Sequence, residues 1–276
     1  MRTALLQLNS SDDPAENLPE TQTLIAEAKA GGADLVLTPE VTNCVSTNRT
    51  RQQEVLQAED EDITLAGLRA QARELGVWLL IGSLALKTDD SDGRFANRSF
   101  LIAPDGGITA RYDKIHMFDV EVSETESYHE SAGYRPGRNS TLVETPLGRI
   151  GMTICYDIRF PNLYRGLAQA GAEILTIPSA FSPVTGVAHW EPLLRARAIE
   201  TGAYVLAPAQ TGQHASTRGK QRKTYGHSMA VGPWGDILAD GGVEPGVVYV
   251  DLDLTQVAQA RQRIPSLHAT SEFDGP

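Results

Sequence analysis

Four times in this 276-residue chain a helix-like stretch ends at glycine and a short apolar strand follows at once. Asn17 to Ala30 reads as an amphipathic helix closed by Gly31-Gly32, ahead of the strand Asp34-Leu35-Val36-Leu37-Thr38. Ile63 to Leu75 repeats the plan, with Gly76 and then Val77-Trp78-Leu79-Leu80-Ile81. Asn162 to Ala170 does so with Gly171 and Ile174-Leu175-Thr176-Ile177, and His189 to Glu200 with Gly202 and Ala203-Tyr204-Val205-Leu206-Ala207. Glycine past a helix accepts the left-handed conformation that satisfies the last carbonyls. Strands that are apolar without alternation belong to sheets covered by helices. Two hairpins interleave, one turning at Pro104-Asp105-Gly106-Gly107 and one at Gly232 to Asp236. No linker divides the chain. The expectation is one α/β domain over residues 1–264, mixed sheets with helices outside, and a C-terminal tail over 265–276.

Charge narrows the partners. Lys and Arg number 24 against 35 Asp and Glu, a formal net charge of −11, which repels nucleic acid and anionic membrane alike. Two cysteines, Cys44 and Cys155, make no disulfide framework. The apolar run at Met1–Ser10 is too short for a signal peptide and no run of 18 apolar residues occurs, so a cytoplasmic protein is expected. In that compartment Asn-x-Ser/Thr triplets such as those at Asn48, Asn97 and Asn139 carry no glycosylation meaning. No metal-ligand spacing or phosphate loop is present.

Chemistry concentrates in three places. In Gly148 to Pro161 a strand runs into Cys155 and a helix opens near Pro161. A thiol at such a strand end is exposed at the sheet edge, with backbone N–H groups beside it for a developing oxyanion. Equally, a free cysteine serves as a small buried hydrophobe. Glu40 follows the strand Leu35–Thr38 directly, where an acid or base sits or a loop acid is merely solvated. Lys114, in Tyr112-Asp113-Lys114-Ile115-His116, suits an oxyanion or an ion pair with Asp113.

Taken in chain order, Glu40, Lys114 and Cys155 resemble the Glu-Lys-Cys triad of the nitrilase superfamily, the carbon–nitrogen hydrolases. The resemblance extends over Lys114 to Val120, Ser179-Ala180-Phe181, Thr185 to Glu191, Leu194 to Glu200 and Tyr225 to Met229, and is nearest the Nit branch of deaminated glutathione amidases and ω-amidases. It implies a four-layer αββα sandwich that pairs as a homodimer or larger homo-oligomer, with no metal or organic cofactor. It implies an amidase that hydrolyses a terminal carboxamide of a small anionic substrate, foremost deaminated glutathione, to acid and ammonia through a thioester. The alternatives are ω-amidase action on α-ketoglutaramate and a non-catalytic binding or scaffold member. Glu130 matches a fourth family position, an acid that positions Lys114 or the substrate. Tyr156 supplies an oxyanion N–H. Arg159 suits a substrate carboxylate, or pairs with Asp157. Phe181 and Thr185 are expected at the pocket wall. Val187 and the basic stretch His214 to Lys223 depart from the family pattern where substrate selection is expected; that stretch is either a solvated face or a charged lid.

Overall fold

The computed structural model describes residues 1–123, 126–269 and 275. In chain order the strands are β1 (Arg2–Gln7), β2 (Leu35–Leu37), β3 (Trp78–Leu86), β4 (Ala96–Ile102), β5 (Ile108–Asp113), β6 (Asp119–Ser123), β7 (Glu126–His129), β8 (Thr141–Thr145), β9 (Gly148–Met152), β10 (Ile174–Thr176), β11 (Tyr204–Ala207), β12 (Thr211–Gln213), β13 (Lys223–Tyr225), β14 (Met229–Val231), β15 (Ile237–Asp240) and β16 (Gly246–Asp251). The helices are α1 (Pro14–Ala30), α2 (Arg49–Val55), α3 (Ile63–Leu75), α4 (Pro161–Gln169), α5 (Pro183–Thr201) and α6 (Thr255–Arg263).

Two six-stranded sheets form, ordered β16-β1-β2-β3-β4-β5 and β15-β14-β11-β10-β9-β8. Each has three parallel strands at its centre, β1-β2-β3 and β9-β10-β11, flanked by antiparallel neighbours. The strand period of two divides the core. Leu5, Leu35, Leu37 and Leu80 point to the second sheet, while Ala4, Leu6, Val36, Leu79 and Ile81 pack under α1 and α3. On the far side Tyr164 and Leu167 of α4 and Trp190 and Leu194 of α5 cover the second sheet. The order of layers is helix, sheet, sheet, helix, the αββα sandwich.

Helix ends follow the glycines: Gly76 (φ 59°) and Gly202 (φ 58°) are left-handed caps. Two helix starts, those of α1 and α5, differ from the sequence reading. α1 begins three residues early, because Asp13 accepts from Ala15 N at 2.9 Å and Pro14 fills the first position. α5 begins at Pro183, six residues before His189, again with proline at its first turn. His189 and Trp190 therefore sit within a helix rather than opening one. Residues 265–268 form a 3₁₀ turn on α4, with Leu267 buried and Gln169 Nε2 donating to its carbonyl at 3.0 Å. The rest of the expected tail, 270–274 and 276, lies outside the described residues. No helix among the described residues is long and apolar enough to cross a membrane.

Candidate active site

Both parallel cores end in the same direction, and the chemistry collects where they end. Glu40 follows β2, Lys114 follows β5, Glu130 opens a 3₁₀ turn after β7, and Cys155 opens another just beyond β9. Sheets of this kind place ligands at the carboxyl ends of their strands. The structure brings all four into one cavity of about 460 Å³, with Tyr156, Phe181 and Thr185 in its wall.

The loop carrying Glu40 is clamped from β3. A Cβ on Gly82 would lie 2.0 Å from Thr38 O and 2.5 Å from Pro39 O, so only glycine admits that approach. Ser83 Oγ accepts from Val41 N at 2.8 Å and Thr38 Oγ1 accepts from Gly82 N at 3.0 Å. Val41 is held at φ 48°, a costly state for a β-branched residue. Cys155 is equally constrained, at φ 47° with its N–H on Pro178 O at 3.0 Å. Tyr156, second in the 3₁₀ turn, precedes the first intrahelical donor, Asp157 N on Ile154 O at 3.1 Å. Its own N–H is thus left for another acceptor.

Glu40 is 4% exposed and Lys114 2%. Lys114 Nζ donates to Glu40 Oε1 at 2.8 Å and to Glu130 Oε1 and Oε2 at 2.9 and 2.8 Å. Glu40 Oε1 also accepts from Asn97 Nδ2 at 2.9 Å, and its Oε2 from Ala180 N at 2.9 Å. Glu130 Oε2 accepts from Phe118 N at 2.6 Å. Cys155 shares the cavity wall with Glu40 and Lys114, so the thiol faces both charges. Burial works to raise the Glu40 carboxyl, but the Lys114 ammonium, then the Arg222 guanidinium, outweigh it and hold it below the ordinary range. Burial works to lower Lys114, but Glu130 and Glu40 outweigh it and keep the ammonium charged. Burial and then the Glu40 charge push the Cys155 thiol up. The resting site is therefore a neutral thiol facing an ionised carboxylate, with a charged ammonium alongside.

Arg159 lies outside the cavity lining, its Cζ 5.9 Å from the Tyr156 ring centre and 5.6 Å from that of Phe181, with Nη2 3.2 Å from His189 Nδ1. It does not pair with Asp157, whose buried carboxylate is filled by Tyr112 Oη, Ile154 N, His116 N and His116 Nδ1 at 2.7–3.0 Å. Val187 stands 77% exposed on α5, away from the cavity wall, so it does not shape the pocket from where the sequence suggested. Within the basic stretch Arg218 pairs with Glu54 at 2.6 Å on the surface, whereas Arg222 reaches the cavity. Asn97 and Arg49 are also in the wall, and the sequence carried no local sign of either. Asn97 reaches Glu40 only because β4 pairs beside β3 and Lys114 N binds the Asn97 carbonyl at 3.0 Å.

A sequence model for the family described as carbon-nitrogen hydrolase matches residues 2–262. A deaminated glutathione amidase of Yersinia enterocolitica is 40% identical over 265 residues, 96% of this chain and 91% of that protein. A deaminated glutathione amidase of Mus musculus is 42% identical over 268 residues, 95% of this chain and 80% of that protein. The crystal structure of Saccharomyces cerevisiae Nit3, a member of branch 10 of the nitrilase superfamily, superposes with a TM-score of 0.83 at 30% identity, covering 96% of this chain and 94% of that one.

Proposed function

The chain belongs to the carbon–nitrogen hydrolase family and is a hydrolase acting on amides, and from that premise we propose that it cleaves the amide of deaminated glutathione through a Cys155 thioester. The observation that carries the proposal is the closed Glu40–Lys114–Glu130 cluster in one cavity with the Cys155 thiol. Relatives at about 40% identity bearing that substrate's name support the choice of substrate.

In this reading the Cys155 sulfur attacks the amide carbon as Glu40 takes the thiol proton. Because the thiol is pushed up and Glu40 is held down, proton transfer accompanies attack rather than preceding it. The tetrahedral oxyanion is stabilised by Lys114 Nζ and the Tyr156 N–H; losing one such donor costs roughly 3 kcal/mol of transition-state stabilisation. Glu40 then protonates the leaving nitrogen, a thioester remains, and water activated by Glu40 releases the acid. Glu130, gripping Lys114 with both oxygens, positions the ammonium. Arg159, just outside the lining and against the Phe181 ring, takes a carboxylate of the acyl half that reaches past Phe181 and Thr185 in the wall. In deaminated glutathione the scissile amide joins an α-keto acid to cysteinylglycine, so the leaving group is that dipeptide and not the ammonia of a terminal carboxamide that the resemblance suggested; from α-ketoglutaramate it is ammonia.

Release of cysteinylglycine and of ammonia, measured side by side with the Cys155→Ala protein as blank, tests this. A preference of about 100-fold for deaminated glutathione, about 2.7 kcal/mol of differential transition-state binding, is expected. Turnover surviving in Cys155→Ala ends the mechanism, and preference for α-ketoglutaramate makes the protein an ω-amidase. The same reading carries a cytoplasmic location, which two free thiols fit. It also carries a homodimer or larger assembly, which the exposed Trp234, Ile237 and Leu238 fit.

A further inference from the structure

Three cations line the cavity, and two of them are spoken for. Lys114 is paired with Glu40 and Glu130 and serves the oxyanion. Arg49 donates to the carbonyls of Gly133, at 2.7 Å, and Gly93. Arg222, at the end of the loop joining β12 to β13, is different. Its Nη2 donates to Ala180 O at 2.6 Å and its Cζ lies 5.8 Å from the Tyr128 ring centre. Its Nε is buried with no acceptor, and among the described residues no carboxylate pairs with it. A guanidinium with an unmet donor and no ion-pair partner, in the wall of a cavity, suits a carboxylate.

Its position says which carboxylate. Arg222 grips the Ala180 carbonyl, while Arg159 stands against the ring of the next residue, Phe181. The Ala180 N–H between them binds Glu40. Two guanidinium groups thus flank the segment beside the reacting thiol, one just outside the lining and one within it. A cavity of about 460 Å³ falls in the range for drug-sized ligands, with space for more than a five-carbon amide.

We propose that Arg222 binds a second substrate carboxylate, the one on the amine half, so that the site selects amides carrying an anionic group on each side of the scissile bond. This rests on the amidase reading and deepens it. A monoanionic primary carboxamide gains nothing from Arg222, whereas a dianionic peptide-like amide engages both arginines.

The test is binding to the Cys155→Ala protein, measured by calorimetry, of deaminated glutathione and of its C-terminal glycinamide, which lacks the second carboxylate. The acid is expected to bind about tenfold or more tighter, the scale of a charge-assisted hydrogen bond. Adding Arg222→Gln should collapse that preference to within about threefold, and Arg222→Lys, keeping the charge without the fork, should hold an intermediate preference. An unchanged preference in Arg222→Gln, or none at the outset, overturns the proposal. So does a loss in Arg222→Gln that is equal for both ligands, because Arg222 would then act only through Glu40. Failure of the amidase reading shows separately, as wild-type protein that releases no cysteinylglycine.

Discussion

At Glu40 burial and neighbouring charge pull in opposite directions, and the charges of Lys114 and Arg222 prevail. The sign has a consequence for pH. A carboxyl held below its ordinary 4.5 stays a base well into acid, while Cys155, ordinarily 9.0, and Lys114, ordinarily 10.5, are both moved upward. Because kcat/KM reports the free enzyme, it should be flat from about pH 5 to about pH 9, with no limb near neutrality. A limb centred between pH 6 and 7 would show Glu40 raised instead. Asn97 tests the same balance. Its Nδ2 lies 2.9 Å from Glu40 Oε1 and 3.4 Å from Glu130 Oε1. Asn97→Asp adds a like charge beside both carboxylates and should raise Glu40, moving the acid limb upward into the measurable range. Asn97→Leu should lower kcat by about tenfold or more with KM little changed, as expected for loss of a hydrogen bond to a charged group. Glu40, Lys114 and Cys155 were legible because each stands at a strand end in a recognisable local pattern. Asn97 was not, because its role exists only once β4 lies against β3.

The elements were legible at their glycines and at Pro161, and obscure at two other prolines. Gly76 and Gly202 mark helix ends, whereas Asp13-Pro14 and Ser182-Pro183, which start α1 and α5, look like loop. The strand read over Val77–Ile81 continues to Leu86 across an irregularity between Ile81 and Leu84, where Gly82 and Ser83 meet the Glu40 loop. Nothing local announces that continuation, since the partner segment is some forty positions earlier. Gly82→Ala is the direct probe of this clamp. The new methyl would meet the carbonyl oxygens of Thr38 and Pro39, so β3 or the Glu40 loop has to move. Overpacking of this kind costs about 1–3 kcal/mol, and a displacement of about 1 Å at Glu40 is expected to lower kcat/KM by about 100-fold. The melting temperature and kcat/KM should fall together. Full activity at an unchanged melting temperature would show that Gly82 does not set the loop.

Across the whole molecule the reacting groups are divided between the halves: Glu40 and Lys114 hang from the first sheet and Cys155 from the second. Catalytic geometry therefore depends on how the sheets face each other, which no local pattern encodes. One buried group ties the seam directly. Asp157, two residues beyond Cys155, accepts from Tyr112 Oη of β5 at 2.7 Å and from His116 N at 3.0 Å, and so joins the strand that leads to Lys114 to the turn that holds the nucleophile. His116 also contacts Asp157 through Nδ1 at 2.7 Å and stacks on Phe160 at 3.5 Å, so it braces this junction and stays out of the chemistry. Tyr112→Phe keeps the ring and removes the hydroxyl that spans the seam. The buried carboxylate loses one of its donors, which should cost about 1–3 kcal/mol and lower the melting temperature by several degrees. Because the lost bond lies between the halves, kcat should fall as well, although Tyr112 is not in the cavity wall. A loss of stability with kcat intact would mean that the sheet cores alone hold Lys114 against Cys155, and that Asp157 stabilises the fold without setting the distance between them.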